Sequence, residues 1–268
     1  RDLGEGWTRS LNGTEGAAYL FWSPDSREVG FFSNGQIMRV PINGGPAVRI
    51  VPASNVKGGS WNQFDQVIYA PTHASSIMMV PATGGDPVDL THIDRDREIR
   101  SHRLPQWFPD GRHFIYIAIS RAEENPDLDS TVRVINAETG NSTELMRVQS
   151  SVQHAAGHLL YPHDGLLMAR PFDTAALQFT APASPLLDNV LVIRAAHLSA
   201  FSVSPAGVLA YVRADEGLGW SEIARFSAAG EEKGDYLDEI NTIGFDFTRD
   251  GRNLCLSIPD TRTGTMDL

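Results

Sequence analysis

The sequence predicts an all-β fold of repeated four-stranded blades, a six-bladed β-propeller. Three observations carry that prediction. The first is an internal repeat: Ile37-Met38-Arg39-Val40-Pro41-Ile42-Asn43-Gly44-Gly45-Pro46 is answered 40 residues later by Ile77-Met78-Met79-Val80-Pro81-Ala82-Thr83-Gly84-Gly85-Asp86. A period of about 40–45 residues with strand and turn composition belongs to propeller blades, none of which can bury its own faces alone. The second is a recurrent turn, an aromatic or apolar residue followed by a Pro-Asp-Gly-like phrase. The third is length: seven blades from 268 residues would leave roughly 38 each, too few for that period, whereas six fit.

The blades are expected near 14–50, 55–90, 99–147, 151–186 and 195–237, with a last one at 240–268 completed by 1–13, all within a single domain. In the first blade, Trp22-Ser23-Pro24-Asp25-Ser26 precedes the β-rich run Val29–Phe32. Proline presets the first turn torsion, Asp bonds back to nearby backbone and Gly accepts positive φ, so each such phrase reads as the tip of a hairpin. Trp107-Phe108-Pro109-Asp110-Gly111 before Phe114–Ile117 repeats it in the third blade. Val203-Ser204-Pro205-Ala206-Gly207 and Phe247-Thr248-Arg249-Asp250-Gly251 are weaker copies in the fifth and sixth. The second blade is marked by the repeat, and the fourth, without the turn, by His158–Tyr161 and Leu167–Phe172. Further strands are expected at Ile37–Pro41, Ile77–Pro81, Val132–Ile135 and Ile223–Phe226. Trp7–Leu11 reads as an outer strand that closes the ring and so removes its exposed edges.

A net charge of −11 with a pI near 5.1 excludes a nucleic-acid partner, which needs clustered Lys and Arg, and argues against an anionic membrane surface. No run approaches the roughly 18 apolar residues of a membrane span. The single cysteine, Cys255, allows no internal disulfide and reads as a small buried hydrophobe. The chain opens at Arg1 without Met, so a piece of a longer protein is expected and missing targeting signals carry no weight.

The phrases at Trp22–Ser26, Trp107–Gly111 and Phe247–Gly251 resemble the PD40 (WD40-like) repeat of TolB-type six-bladed propellers. The stretches Gly13–Asp25 and Ser101–Phe114 resemble the propeller regions of bacterial transmembrane serine/threonine protein kinases and of Tol-transport-like proteins. The resemblance implies an extracytoplasmic, periplasmic placement and a sensor or binding module. None of the kinase's own motifs is in the chain.

Catalytic motifs are sparse. Gly219-Trp220-Ser221-Glu222-Ile223 lacks the second Gly of a serine-hydrolase elbow, and no His-Glu-x-x-His zinc motif is present. A calcium-dependent lactonase would need converging oxygen ligands, for which the innermost strands offer Glu15, Asn62, Asp246 and Asn241. His102, His154 and His197 stand near the starts of three successive inner strands and are the metal candidates. Their register is unmatched, since His102 lies seven residues before Pro109 and His197 eight before Pro205. A one-residue slip turns a side chain to the other face of a strand. The expectation is therefore a channel mouth framed by Glu15, Lys57, His102, His154, His197 and Asn241. It would bind a protein, a peptide or a small polar ligand, with no cofactor, no catalytic residue and no enzyme activity. A metal-dependent hydrolase or lactonase at the same mouth is the alternative.

Overall fold

A computed structural model describes residues 9–94, 99–120, 130–214, 223–226, 232–235, 244–259 and 266–268. They are almost wholly β. Among them the only helical segment is a 3-10 turn at Arg194–Ala196, and no helix is long and apolar enough to cross a membrane. The chain divides into two compact units, Leu11–Gln149 and Ser150–Leu268, the latter together with the N-terminal residues up to Ser10.

The first unit holds three antiparallel sheets, each with its strands in chain order. The first sheet is β1 (Ala18–Trp22), β2 (Glu28–Ser33), β3 (Gln36–Pro41) and β4 (Val48–Pro52). The second is β5 (Gly59–Trp61), β6 (Gln66–Tyr69), β7 (Met78–Pro81) and β8 (Val88–Asp89). The third is β9 (Ile99–Trp107), β10 (His113–Ser120), β11 (Ser130–Asn136) and β12 (Ser142–Val148). The repeated phrase therefore supplies the third strands β3 and β7 with the turns that follow them.

Side-chain chemistry closes each first hairpin. Ser23 Oγ donates to Asp25 Oδ1 (2.7 Å) and accepts from the backbone N–H of Arg27 and Glu28. In the second sheet Asn62 does this work: its Oδ1 accepts from the N–H groups of Phe64 and Gln66, both at 3.0 Å, so the turn survives without Pro or Gly. In the third, Asp110 accepts from the N–H groups of Arg112 and His113.

Apolar residues on both faces of these sheets meet between neighbours. Ile37, Val51, Trp61, Val67 and Tyr69 form one such core. Ile68, Ile77, Trp107, Phe114 and Tyr116 form the next. The leading strands stand side by side, β5 touching both β1 and β9. The N–H of Leu104 donates to the carbonyl of Lys57 (2.8 Å), and the N–H of Trp107 to Ser60 Oγ (3.1 Å).

The second unit begins with β13 (Gln153–Ala155), β14 (His158–His163) and β15 (Leu166–Asp173). Both β16 (Gln178–Phe179) and β17 (Ser184–Asp188) pair with the long β15. The Pro-Asp-Gly phrase is missing because Ala156 (φ 48°) and Gly157 (φ 74°) make a two-residue turn of the hairpin type instead. A short hairpin, β18 (Val192–Ile193) and β19 (Leu198–Ser199), follows. Next comes a four-stranded sheet of β20 (Phe201–Val203), β21 (Leu209–Val212), β22 (Ile223–Phe226) and β23 (Glu232–Asp235). The pairs β24 (Phe245–Phe247) with β25 (Leu254–Leu256) and β26 (Ile258–Pro259) with β27 (Met266–Asp267) complete the described strands. Cys255 is buried in β25, where burial pushes its thiol up to about 12.

Long polar side chains stitch the leading strands of this unit. Gln153 Nε2 donates to the Phe201 carbonyl, Gln153 Oε1 accepts the Val203 N–H, and Ser202 Oγ donates to Asp246 Oδ1. The segment expected to close the last blade, 1–8 in particular, lies outside the described residues.

Candidate functional site

In the first unit, the leading strands share a local distortion that fixes where their side chains go. The residue three places before the closing tryptophan has positive φ in all three sheets: Tyr19 at 52°, Gly58 at 100° and Leu104 at 51°. The β1–β2 and β9–β10 registers jump at the corresponding points, so this is a recurrent bulge. A bulge re-aims the neighbouring side chain and bends the strand. The residues just before it in the second and third sheets are Lys57 and Arg103, each four places before its tryptophan.

At Gly58 the geometry admits no side chain, because a Cβ would stand 2.8 Å from the Leu104 Cα. Gly58→Ala is expected to cost about 2 kcal/mol or more, from αL strain and the clash with a neighbouring backbone. A urea-denaturation midpoint unchanged in that variant would contradict the bulge.

Lys57 Nζ donates to Asn55 Oδ1 (2.8 Å), reaches the Tyr19 hydroxyl at 3.5 Å and lies 5.5 Å from the centre of the Tyr19 ring. Arg103 is held by its Nε to Ser101 Oγ and by an Nη to the His73 carbonyl, both at 3.0 Å. Partial burial, and then the Arg103 charge, push the Lys57 amine below its usual value. Burial raises the Tyr19 hydroxyl, with Arg103 opposing. Two cations and a phenol on adjacent strands can hold a carboxylate, stabilise a developing oxyanion, and offer an amine that deprotonates more readily than a surface lysine.

Of the six residues expected at one mouth, Lys57 is in this cluster. Glu15 is exposed in the turn before β1, and its carbonyl accepts from Ser33 Oγ. His102, one place before Arg103, faces the opposite way. Its Nδ1 meets Thr91 Oγ1 at 2.8 Å and its ring lies 4.7 Å from that of Tyr116, between the second and third sheets. His154, in β13, and His197, which ends the 3-10 turn at φ 54° ahead of β19, belong to the second unit. Asn241 lies outside the described residues.

Counting back from Trp61 and Trp107 puts Arg103, not His102, at the position of Lys57. That count was the available signal for Arg103; Tyr19 and Asn55 had none.

The donors do not suit a metal ion. Among the described residues no three His, Cys, Asp or Glu side chains lie close enough to share one. Lys57 and Arg103 at the leading-strand positions would repel a divalent cation. Asn62 is spent on its own turn and donates to the Gly111 carbonyl, and Asp246 accepts from Ser202 and from its neighbour's N–H.

Burial holds both His102 and His154 neutral, with pKa values lowered to about 4 from 6.5. Between those limits the unfolded chain binds protons that the folded chain refuses, so stability is present above pH 6.5 and lost as pH falls towards 4. The denaturation midpoint is expected to drop steadily over that range, and His102→Gln to drop less; a flat profile would contradict the buried neutral rings.

No family model matches the sequence, and no curated protein is detectably similar to it. Solved structures are similar in fold. A calcium-binding protein, regucalcin, from Agrobacterium tumefaciens aligns with a TM-score of 0.66 at 13% identity, over 99% of this chain and 92% of its own. A protein described as TolB from the same organism gives 0.65 at 15%, covering 95% of each chain. A gluconolactonase from Xanthomonas campestris gives 0.62 at 13%, covering 91% and 83%.

The chain folds as a β-propeller.

The comparison also corrects one expectation. The missing kinase and serine-hydrolase motifs led to a non-enzymatic module, yet the propeller is shared with a gluconolactonase and with an oligogalacturonate lyase. Those motifs belong to other folds, so their absence says nothing against catalysis by side chains on a propeller's leading strands.

Proposed function

We propose that this propeller is a hydrolase of the lactonase class, acting on a small polar lactone or ester at Tyr19, Lys57 and Arg103. The observation that carries the reading is the placement of Lys57 and Arg103 at matching positions of adjacent leading strands, with the Tyr19 hydroxyl 3.5 Å from the lysine amine. Likeness in fold to a gluconolactonase supports the reaction class.

Neutral Lys57 takes a proton from water as the water oxygen bonds to the acyl carbon, and Arg103 stabilises the oxyanion that forms. The acyl C–O bond then breaks. The Lys57 ammonium, beside the Tyr19 hydroxyl, returns the proton to the leaving alkoxide; the carboxylic acid so formed loses its remaining proton to water, and Arg103 holds the carboxylate.

A pH-stat assay of the purified protein on γ- and δ-lactones and simple esters tests the reading. Protein-dependent acid release that Arg103→Gln abolishes is expected; release at the buffer rate from every compound would overturn it. The same reading takes the chain as six blades, the last completed by the N-terminal segment, and places it outside the cytoplasm. The turn phrases around Trp22, Trp107 and Phe247 support the blade number, and the resemblance of Gly13–Asp25 and Ser101–Phe114 to propellers of bacterial transmembrane kinases supports the placement.

A further inference from the structure

A cavity of about 1070 Å³ in the first unit lies between the second and third sheets and involves neither Lys57 nor Arg103. Its polar wall includes Asp89, Asp94, Thr91, His92, His102 and Arg133.

Arg133 is fixed in place, with Nε donating to Ser142 Oγ at 3.1 Å. Its Nη1 also stands 3.7 Å from Glu144, which is more than half exposed, a pair that water screens. Asp89 uses one carboxylate oxygen to accept from Ser76 Oγ, and its second oxygen is available as an acceptor. The hydroxyl of Thr91 accepts the Ile77 N–H at 2.8 Å and has its own proton to give to His102 Nδ1. With Thr91 donating in this way, the ring proton of His102 sits on Nε2, an uncharged donor. Ile99 and Ile135 provide apolar wall.

A purely anionic ligand would meet the Asp89 and Asp94 carboxylates here, and a purely cationic one the Arg133 guanidinium. We propose that this cavity binds an amphoteric ligand of the amino-acid class, a free α-amino acid or the end of a short peptide. Its carboxylate lies at Arg133 and His102, its ammonium at Asp89, and its apolar side chain against Ile99 and Ile135. This site is independent of the hydrolase reading.

Calorimetric titration with leucine and dileucine tests the proposal, alongside N-acetyl-leucine, leucine amide and the deaminated acid 4-methylpentanoate. At least one of the two unmodified compounds is expected to bind, and each modification to weaken binding by about tenfold or more. Arg133→Gln and Asp89→Asn should each do the same with the thermal midpoint kept, and Lys57→Met should leave binding unchanged. Arg133→Lys serves if the glutamine variant fails to fold. Binding of 4-methylpentanoate as tight as that of leucine would overturn the proposal. So would the absence of heat from either unmodified compound up to about 10 mM.

Discussion

Phe114→Ala is expected to lower the unfolding free energy of the first unit by about 3–5 kcal/mol, the usual cost of emptying a buried phenyl site. Phe114 is fully buried in β10. Its ring packs edge-on against Trp107 at 5.3 Å and lies 5.9 Å from Tyr116, with Ile68 and Ile77 of the neighbouring sheet in the same core. The residue therefore joins two sheets, and collapse around the void would have to move both. Phe114→Leu, which refills much of the space, should recover more than half of the loss. Hydrogen exchange of the β10 amides reads the effect where it arises, and a loss below about 1 kcal/mol would mean that the sheets do not share this core.

Lys57→Met is expected to lower kcat/KM for the best lactone or ester by about 10²–10⁴-fold, the range of a lost general base. Lys57→Arg separates the two roles a lysine could have. If Lys57 only attracts a carboxylate, arginine replaces it and most activity survives. If it must give up its proton, arginine cannot act at any working pH, and the loss should match that of the methionine variant. Neither change touches the buried cores, so the thermal midpoint should hold.

Much of the fold was legible because blade architecture is written in local chemistry. The phrase at Ile37 and Ile77 gave β3 and β7, and the turns at Trp22 and Trp107 gave their hairpins. The second sheet's turn was harder to see because Asn62 performs with one amide what Ser23 and Asp25 do together. The fourth hairpin was masked by its two-residue turn at Ala156 and Gly157. The candidate site was only partly legible. Lys57 was singled out, but its neighbours are chosen by a backbone bulge, and positive φ at a tyrosine or a leucine leaves no trace in composition. His102 was chosen for its place near the start of an inner strand, whereas counting back from Trp61 and Trp107 selects Arg103. In a strand, that one-residue difference separates the Lys57 cluster from the cavity between the sheets.

The most direct test of the account compares two titrations. One is the Lys57 amine, followed by NMR in the intact protein; the other is the pH dependence of kcat/KM. The Lys57 amine should titrate below its ordinary 10.5, as burial and Arg103 require. Activity should rise with pH along the same curve, because only the neutral amine accepts a proton, and that limb should vanish in Lys57→Arg. A lysine that titrates at 10.5 or above, or a rate limb that does not follow it, would contradict the site.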